Sequence, residues 1–298
     1  MAYDFRDFES DLLSRLIDGL EWGKFRGNLF NVPLLRVIDA AKHDHISGLT
    51  LEANSYQGRL RWHRSFLQKL AGHLGDPLDT SGHQGEAHFF TLIDSRECCQ
   101  RPHEVPPLSH LRFHYGVPLT GWNFVGMLEP ALFVSLPLQM SRSGLLFCWH
   151  LHGVAWGLKD EDQETARRLV RARGFRTLVP GATVLKVVPI VPGELINVVG
   201  YLNKSPRHQA SLAPRGEGGM KLYERSATGA NLARFHRHLS GLYLDDMAVA
   251  GGEGIELLKV IKSDALRDWR EHKRDPRPRT GLALQSNPGR YGAIRSAL

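Results

Sequence analysis

The chain has 298 residues, a formal charge of +7 at pH 7 and a pI near 9.4, with 42% hydrophobic and 23% charged residues. That is the balance of a soluble globular protein, with enough chain for one large domain or two small ones, and a basic balance favours an anionic partner, nucleic acid first. No apolar run approaches the roughly 20 residues of a membrane span, the acidic N-terminal stretch has no signal-peptide core, and three cysteines, Cys98, Cys99 and Cys148, make no disulfide framework and suggest a reducing compartment.

In chain order, residues 5–42 carry apolar residues at helical spacing, and "LRWHRSFLQKLAGHLG" predicts a second helix ended by Gly75 and Pro77. The polar, Gly-bearing "DTSGHQGE" (79–86) marks a boundary. Strands are expected at "AHFFTLID" (87–94), "NFVGMLEPALFVSL" (123–136), "GLLFCWHLHGVAWG" (144–157) and "TVLKVVPIV" (183–191). "DEDQETARRLVRARGF" has the acidic start, basic finish and closing Gly174 of a helix. "PGELINVVGYLNKSP" (192–206) reads as another helix, and 207–219 as loop. The region from Asn231 onward reads as mostly helical, with a basic, loose tail. Within it, "YLDDMAVAGGEGIELLKVIKSDALRDW" reads as a short helix, a Gly turn and a longer helix, either a DNA-reading pair or an extension packed on the sheet. The order predicts an α+β fold: a central antiparallel sheet with flanking helices, plus helical N- and C-terminal extensions. The corresponding regions are 1–82, 83–210 and 211–298.

Histidine is abundant, 15 residues of 298, and three His-x-His pairs occur: His43/His45, His150/His152 and His236/His238. The first pair sits at an expected helix end, where cations are favoured. The third falls in a helix, where i and i+2 do not share a face. Only His150 and His152 lie in a strand, where they point the same way. The strand before them should pair with theirs as a hairpin; setting Val134 opposite Leu145 puts Glu129 opposite His150, whereas a slip by one residue would turn Glu129 to the other face. Two imidazoles and one carboxylate suit Mn²⁺ or Mg²⁺ with positions left for phosphate oxygens, or a Zn²⁺ site. The alternative is a buried Glu–His hydrogen bond.

Downstream, "YLNK" places Tyr201 and Lys204 at i, i+3 on one helix face. Tyrosine can act as a covalent nucleophile, and a nearby cation can lower its pKa or hold a phosphate. Tyr115, Tyr223 and Tyr243 compete for that role.

Together, "FFTLID" (89–94), "HLH" (150–152) and "YLNK" (201–204) resemble the three ordered motifs of the HUH endonucleases of the rolling-circle replication initiator (Rep) type. The resemblance covers roughly residues 87–206, with Glu129 in the place of the family's third metal ligand. It departs from the pattern in a long span between the first two strands, in having no Walker A motif and in offering one strong tyrosine rather than a pair. The resemblance implies an HUH-like core that nicks and joins single-stranded DNA through a tyrosine-5′-phosphate intermediate. Tyr201 and Lys204 would then be catalytic, and His150, His152 and Glu129 would hold Mn²⁺ or Mg²⁺. It further implies a single-stranded DNA partner, such as a hairpin or origin site, together with host replication proteins, and a cytoplasmic protein of bacterial, phage or plasmid origin with no membrane association. The alternatives are a transposase or relaxase role, a phosphoesterase using water, and a non-catalytic nucleic-acid-binding protein on the same fold.

Overall fold

The computed structural model describes residues 51–53, 56–75, 87–137, 140–179, 181–191, 194–202, 208–215, 219–227 and 229–274. The expected helices over 5–42, the His43/His45 pair, the 79–86 boundary, Lys204 and the tail beyond 274 lie outside these residues.

The fold is α+β. Helix α1 (Tyr56–Leu74) precedes strand β1 (Ala87–Cys99), helix α2 (Leu108–Gly116) and the hairpin β2 (Asn123–Val134) and β3 (Leu145–Trp156). Helix α3 (Asp160–Ala172), strand β4 (Leu185–Pro189) and helix α4 (Leu195–Leu202) follow. The chain then forms β5 (His208–Arg215), β6 (Gly219–Ser226), α5 (Gly229–Leu239), the single turn α6 (Leu244–Met247), β7 (Ala248–Gly251) and α7 (Gly254–Arg274). All seven strands belong to one sheet in the order β4-β1-β3-β2-β5-β6, with β7 also pairing β2.

Strand β3 lies between β1 and β2, so both of its edges are paired, and its side chains are buried on both faces of the sheet. This explains why "LLFCWHLHGVAW" reads as a near-continuous apolar run rather than an alternating one. Its register with β2 runs without interruption from Asn123↔Trp156 to Val134↔Leu145 and sets Glu129 opposite His150, as the expected turn requires. At its centre Gly126 faces Gly153. A Cβ on Gly153 would lie 2.4 Å from the Phe90 ring, so only glycine lets β1's aromatic side chain close on the hairpin.

The outer edge of β2 is shared. Strand β7 pairs with Phe124–Met127 and β5 with Leu132 and Phe133. Between them Pro130, which has no N–H to give a ladder, occupies the stretch without a strand pairing on that side.

Helix α3 starts where Asp162 Oδ2 accepts the Lys159 N–H at 3.0 Å, and it closes at Gly174, whose φ of +68° suits glycine. Helix α1 packs against α4 and α7, with Ser65 Oγ donating to the Ile261 carbonyl at 2.8 Å. The main core gathers Trp62, Phe66, Phe90, Tyr115, Trp149 and Trp269, all essentially solvent-free.

Four expectations change. The sheet is mixed rather than antiparallel, because β2 and β5 run parallel. Residues 207–219, expected as loop, contribute β5 and the start of β6; their small and polar side chains give little strand signal until the hairpin with β6 is seen. "AVAG" is a strand between α6 and α7, so this stretch is not a helix-turn-helix pair; four apolar residues cannot be told from a helix fragment by periodicity. Cys98 and Cys148 form a disulfide across β1 and β3, because an irregularity between Ile93 and Cys98 shifts the register and brings them opposite one another. No helix among the described residues is long and apolar enough to cross a membrane.

Candidate metal centre

His150 and His152 point to the same face of β3, their rings 4.3 Å apart and edge-on. Glu129 reaches the same point from β2. Its Oε2 lies 3.9 Å from His150 Nε2 and 3.8 Å from His152 Nε2. All three side chains are buried: Glu129 is 7% exposed, His150 9% and His152 1%.

The outer nitrogens are held by neighbouring oxygens. His150 Nδ1 lies 3.2 Å from the Cys148 carbonyl, which can only accept, so Nδ1 carries the proton and Nε2 presents a lone pair. His152 Nδ1 lies 2.8 Å from Thr91 Oγ1, which can accept from it in the same way. Two imidazole nitrogens and a carboxylate oxygen thus converge, with ligand atoms within 4.8 Å of one another. The residues therefore fit a divalent metal held by two nitrogens and one or two oxygens, with the rest of its coordination shell left for other ligands.

Helix α4 brings Tyr201 to this centre. Leu195, Val199 and Leu202 are buried, which fixes the helix on the sheet and leaves Tyr201 half-buried. The Tyr201 ring sits 5.0 Å from the His152 ring and 5.8 Å from Phe89, edge-on to both. Phe89 in turn stacks on His152 at 5.6 Å. Of the competing tyrosines, Tyr115 is fully buried and donates its hydroxyl to the Trp149 carbonyl at 2.5 Å, with burial pushing its pKa well up. Tyr223 is exposed on β6, and Tyr243 precedes α6. The structure thus brings together Glu129, His150, His152 and Tyr201.

Three nearby residues were given no role by the sequence reading. Thr91 orients His152 across the β1–β3 pairing, a role that depends on strand order and so on the whole sheet. Arg59, on α1, is buried and donates its Nε to the Ala53 carbonyl. Burial lowers its pKa to about 10, and the charge of Glu129 pushes in the opposite direction. Arg59 sits among Arg61, His63 and Arg64, so nothing in the sequence singles it out as the buried one. His63, one turn further along α1, is buried too, with its pKa lowered to about 4 by desolvation. Comparison of the chain with family models, with curated proteins and with solved structures finds no match.

Proposed function

We propose that the protein cuts and rejoins single-stranded DNA through a covalent bond to Tyr201, as the resemblance to the HUH replication initiators implies. The observation that carries this reading is the Tyr201 ring lying 5.0 Å from His152, one of three buried donors able to hold a metal. Glu129, His150 and His152 hold a divalent ion, Mn²⁺ or Mg²⁺, which when bound polarises the phosphoryl oxygens and offsets the charge gained in the transition state. The Tyr201 oxygen forms a bond to phosphorus, and the bond from phosphorus to the 3′ oxygen breaks. The 3′ oxygen takes up a proton, giving a free 3′-OH and a 5′-phosphotyrosine. Because one phosphoester replaces another, rejoining needs no external energy source. Thr91 and the Cys148 carbonyl hold the two imidazoles with Nε2 toward Glu129. Lys204 is assigned to offset charge as the phenolate forms. The basic charge of +7 supplies sequence-independent attraction for the strand.

The test is incubation with single-stranded DNA and Mn²⁺, followed by denaturing electrophoresis in SDS. The wild-type chain should give nicked product and an SDS-resistant protein–DNA adduct that maps to the Tyr201 peptide. Tyr201→Phe should give neither while still binding DNA. Full nicking by Tyr201→Phe would instead favour a phosphoesterase using water, and no cutting by wild type would leave a binding protein.

A further inference from the structure

A second group of donors lies on the opposite face of the sheet. Asp94 stands three residues beyond Thr91 on β1, so alternation turns it away from His152. Helix α2 packs there with His110 and His114, which at i, i+4 share one helix face. The Nε2 atoms of both face Glu97, also on β1: His110 at 3.1 Å and His114 at 3.8 Å from the same Oε1. His114 Nε2 is also 3.0 Å from Asp94 Oδ2. Bonds of about 2.1 Å to a tetrahedral ion place neighbouring ligand atoms about 3.4 Å apart, and these separations bracket that value.

The surroundings favour order. The His114 ring lies flat on Phe175 at 4.4 Å and 2°, and Asp94 is fully buried. Asp94 accepts from the Arg96 guanidinium on Oδ2 at 2.5 Å and from the Arg96 and Arg176 backbone N–H groups on Oδ1, so it is a fixed anchor behind His114. His110 is half exposed, which opens the group to solvent on one side.

We propose that Glu97, His110 and His114 form a second metal site of zinc type, distinct from the Glu129 centre. Two imidazoles and one carboxylate at this spacing, with a position left for water, select a borderline ion over Mg²⁺, which prefers oxygen and keeps its waters. The ion would pin α2 to the irregular end of β1, a structural role that does not depend on nuclease activity.

The experiment counts Zn²⁺ by equilibrium dialysis of the full chain. His150→Ala removes a donor from the Glu129 centre and should leave one tight zinc per chain. Adding His110→Ala, at a half-exposed position, should weaken that zinc by more than about 100-fold. His114→Phe keeps the stack on Phe175 and loses the nitrogen, and it should do the same. The proposal is overturned if the folded His150→Ala chain binds no zinc, or if both second-site variants bind it as tightly as their parent. Neither outcome depends on DNA cleavage, so it stands or falls apart from the Tyr201 reading.

Discussion

Removing the His150 imidazole should separate metal binding at the Glu129 centre from folding. In the wild-type chain the Nε2–Oε2 separations of 3.9 and 3.8 Å already approach the spacing of ligands around one ion, so binding requires little rearrangement. A ligand that binds only the folded state at a hundred times its Kd stabilises it by about 2.7 kcal/mol. For a chain of this size that is about 5–10 °C in Tm. His150→Ala leaves two of three donor residues; with affinity down about 100-fold, the same metal concentration gives about 0.4 kcal/mol, or about 1 °C. The backbone bond from Nδ1 is to the neighbouring Cys148 carbonyl on the same strand, so the apo proteins should have similar circular dichroism. Thermal unfolding with and without Mn²⁺ measures the difference, best in a His110→Ala background so that the opposite face adds nothing. Equal metal-induced shifts in the two proteins would refute the assignment of His150 as a ligand.

Acid should unfold the protein earlier than its carboxylates alone would. His63 and His238 have pKa values lowered to about 4 by burial, so both are neutral in the folded state. Their contribution is complete above pH about 6.5 and is lost as pH falls toward 4, at up to about 1.4 kcal/mol per pH unit for each; urea midpoints between pH 7 and 4.5 should fall less steeply in His238→Leu. Reducing the Cys98–Cys148 disulfide, whose ends lie 50 residues apart, should cost up to about 4 kcal/mol by loop entropy, measured as the guanidinium midpoint with and without reductant; an unchanged midpoint would count against the bond. Gly153→Ala forces a methyl into the Phe90 ring and the Val125 carbonyl and should cost about 1–3 kcal/mol in the same assay.

The pieces legible in the sequence are those set by local rules. Strand alternation and a short turn fixed the β2–β3 register, so Glu129 could be placed opposite His150 by counting. Helices α3 and α4 announce themselves through charge bias, Gly174 and helical apolar spacing. What could not be read depends on strand order. Thr91 meets His152 only because β1 flanks β3, and Cys98 meets Cys148 only past a register shift that no residue pattern announces. The segment between β1 and β2 reads as loop, yet it contains α2, whose weakly amphipathic "LSHLRFHYG" is stabilised by His114 on Phe175 and Tyr115 under Trp149. Its His-x-x-x-His spacing was the available clue to the second donor group.

The divided edge of β2 bears on how the chain is made. During synthesis β1, β2 and β3 are complete long before β5 and β7, so a twelve-residue apolar strand waits with one side uncovered. Such an edge is a template for pairing with another chain. Pro130 sits near its middle and denies an incoming strand a continuous ladder, so the residue that breaks the mature pairing into two pieces also guards the nascent protein against aggregation. A Pro130→Val chain would fold to a similar sheet but leave more of its newly made protein in inclusion bodies.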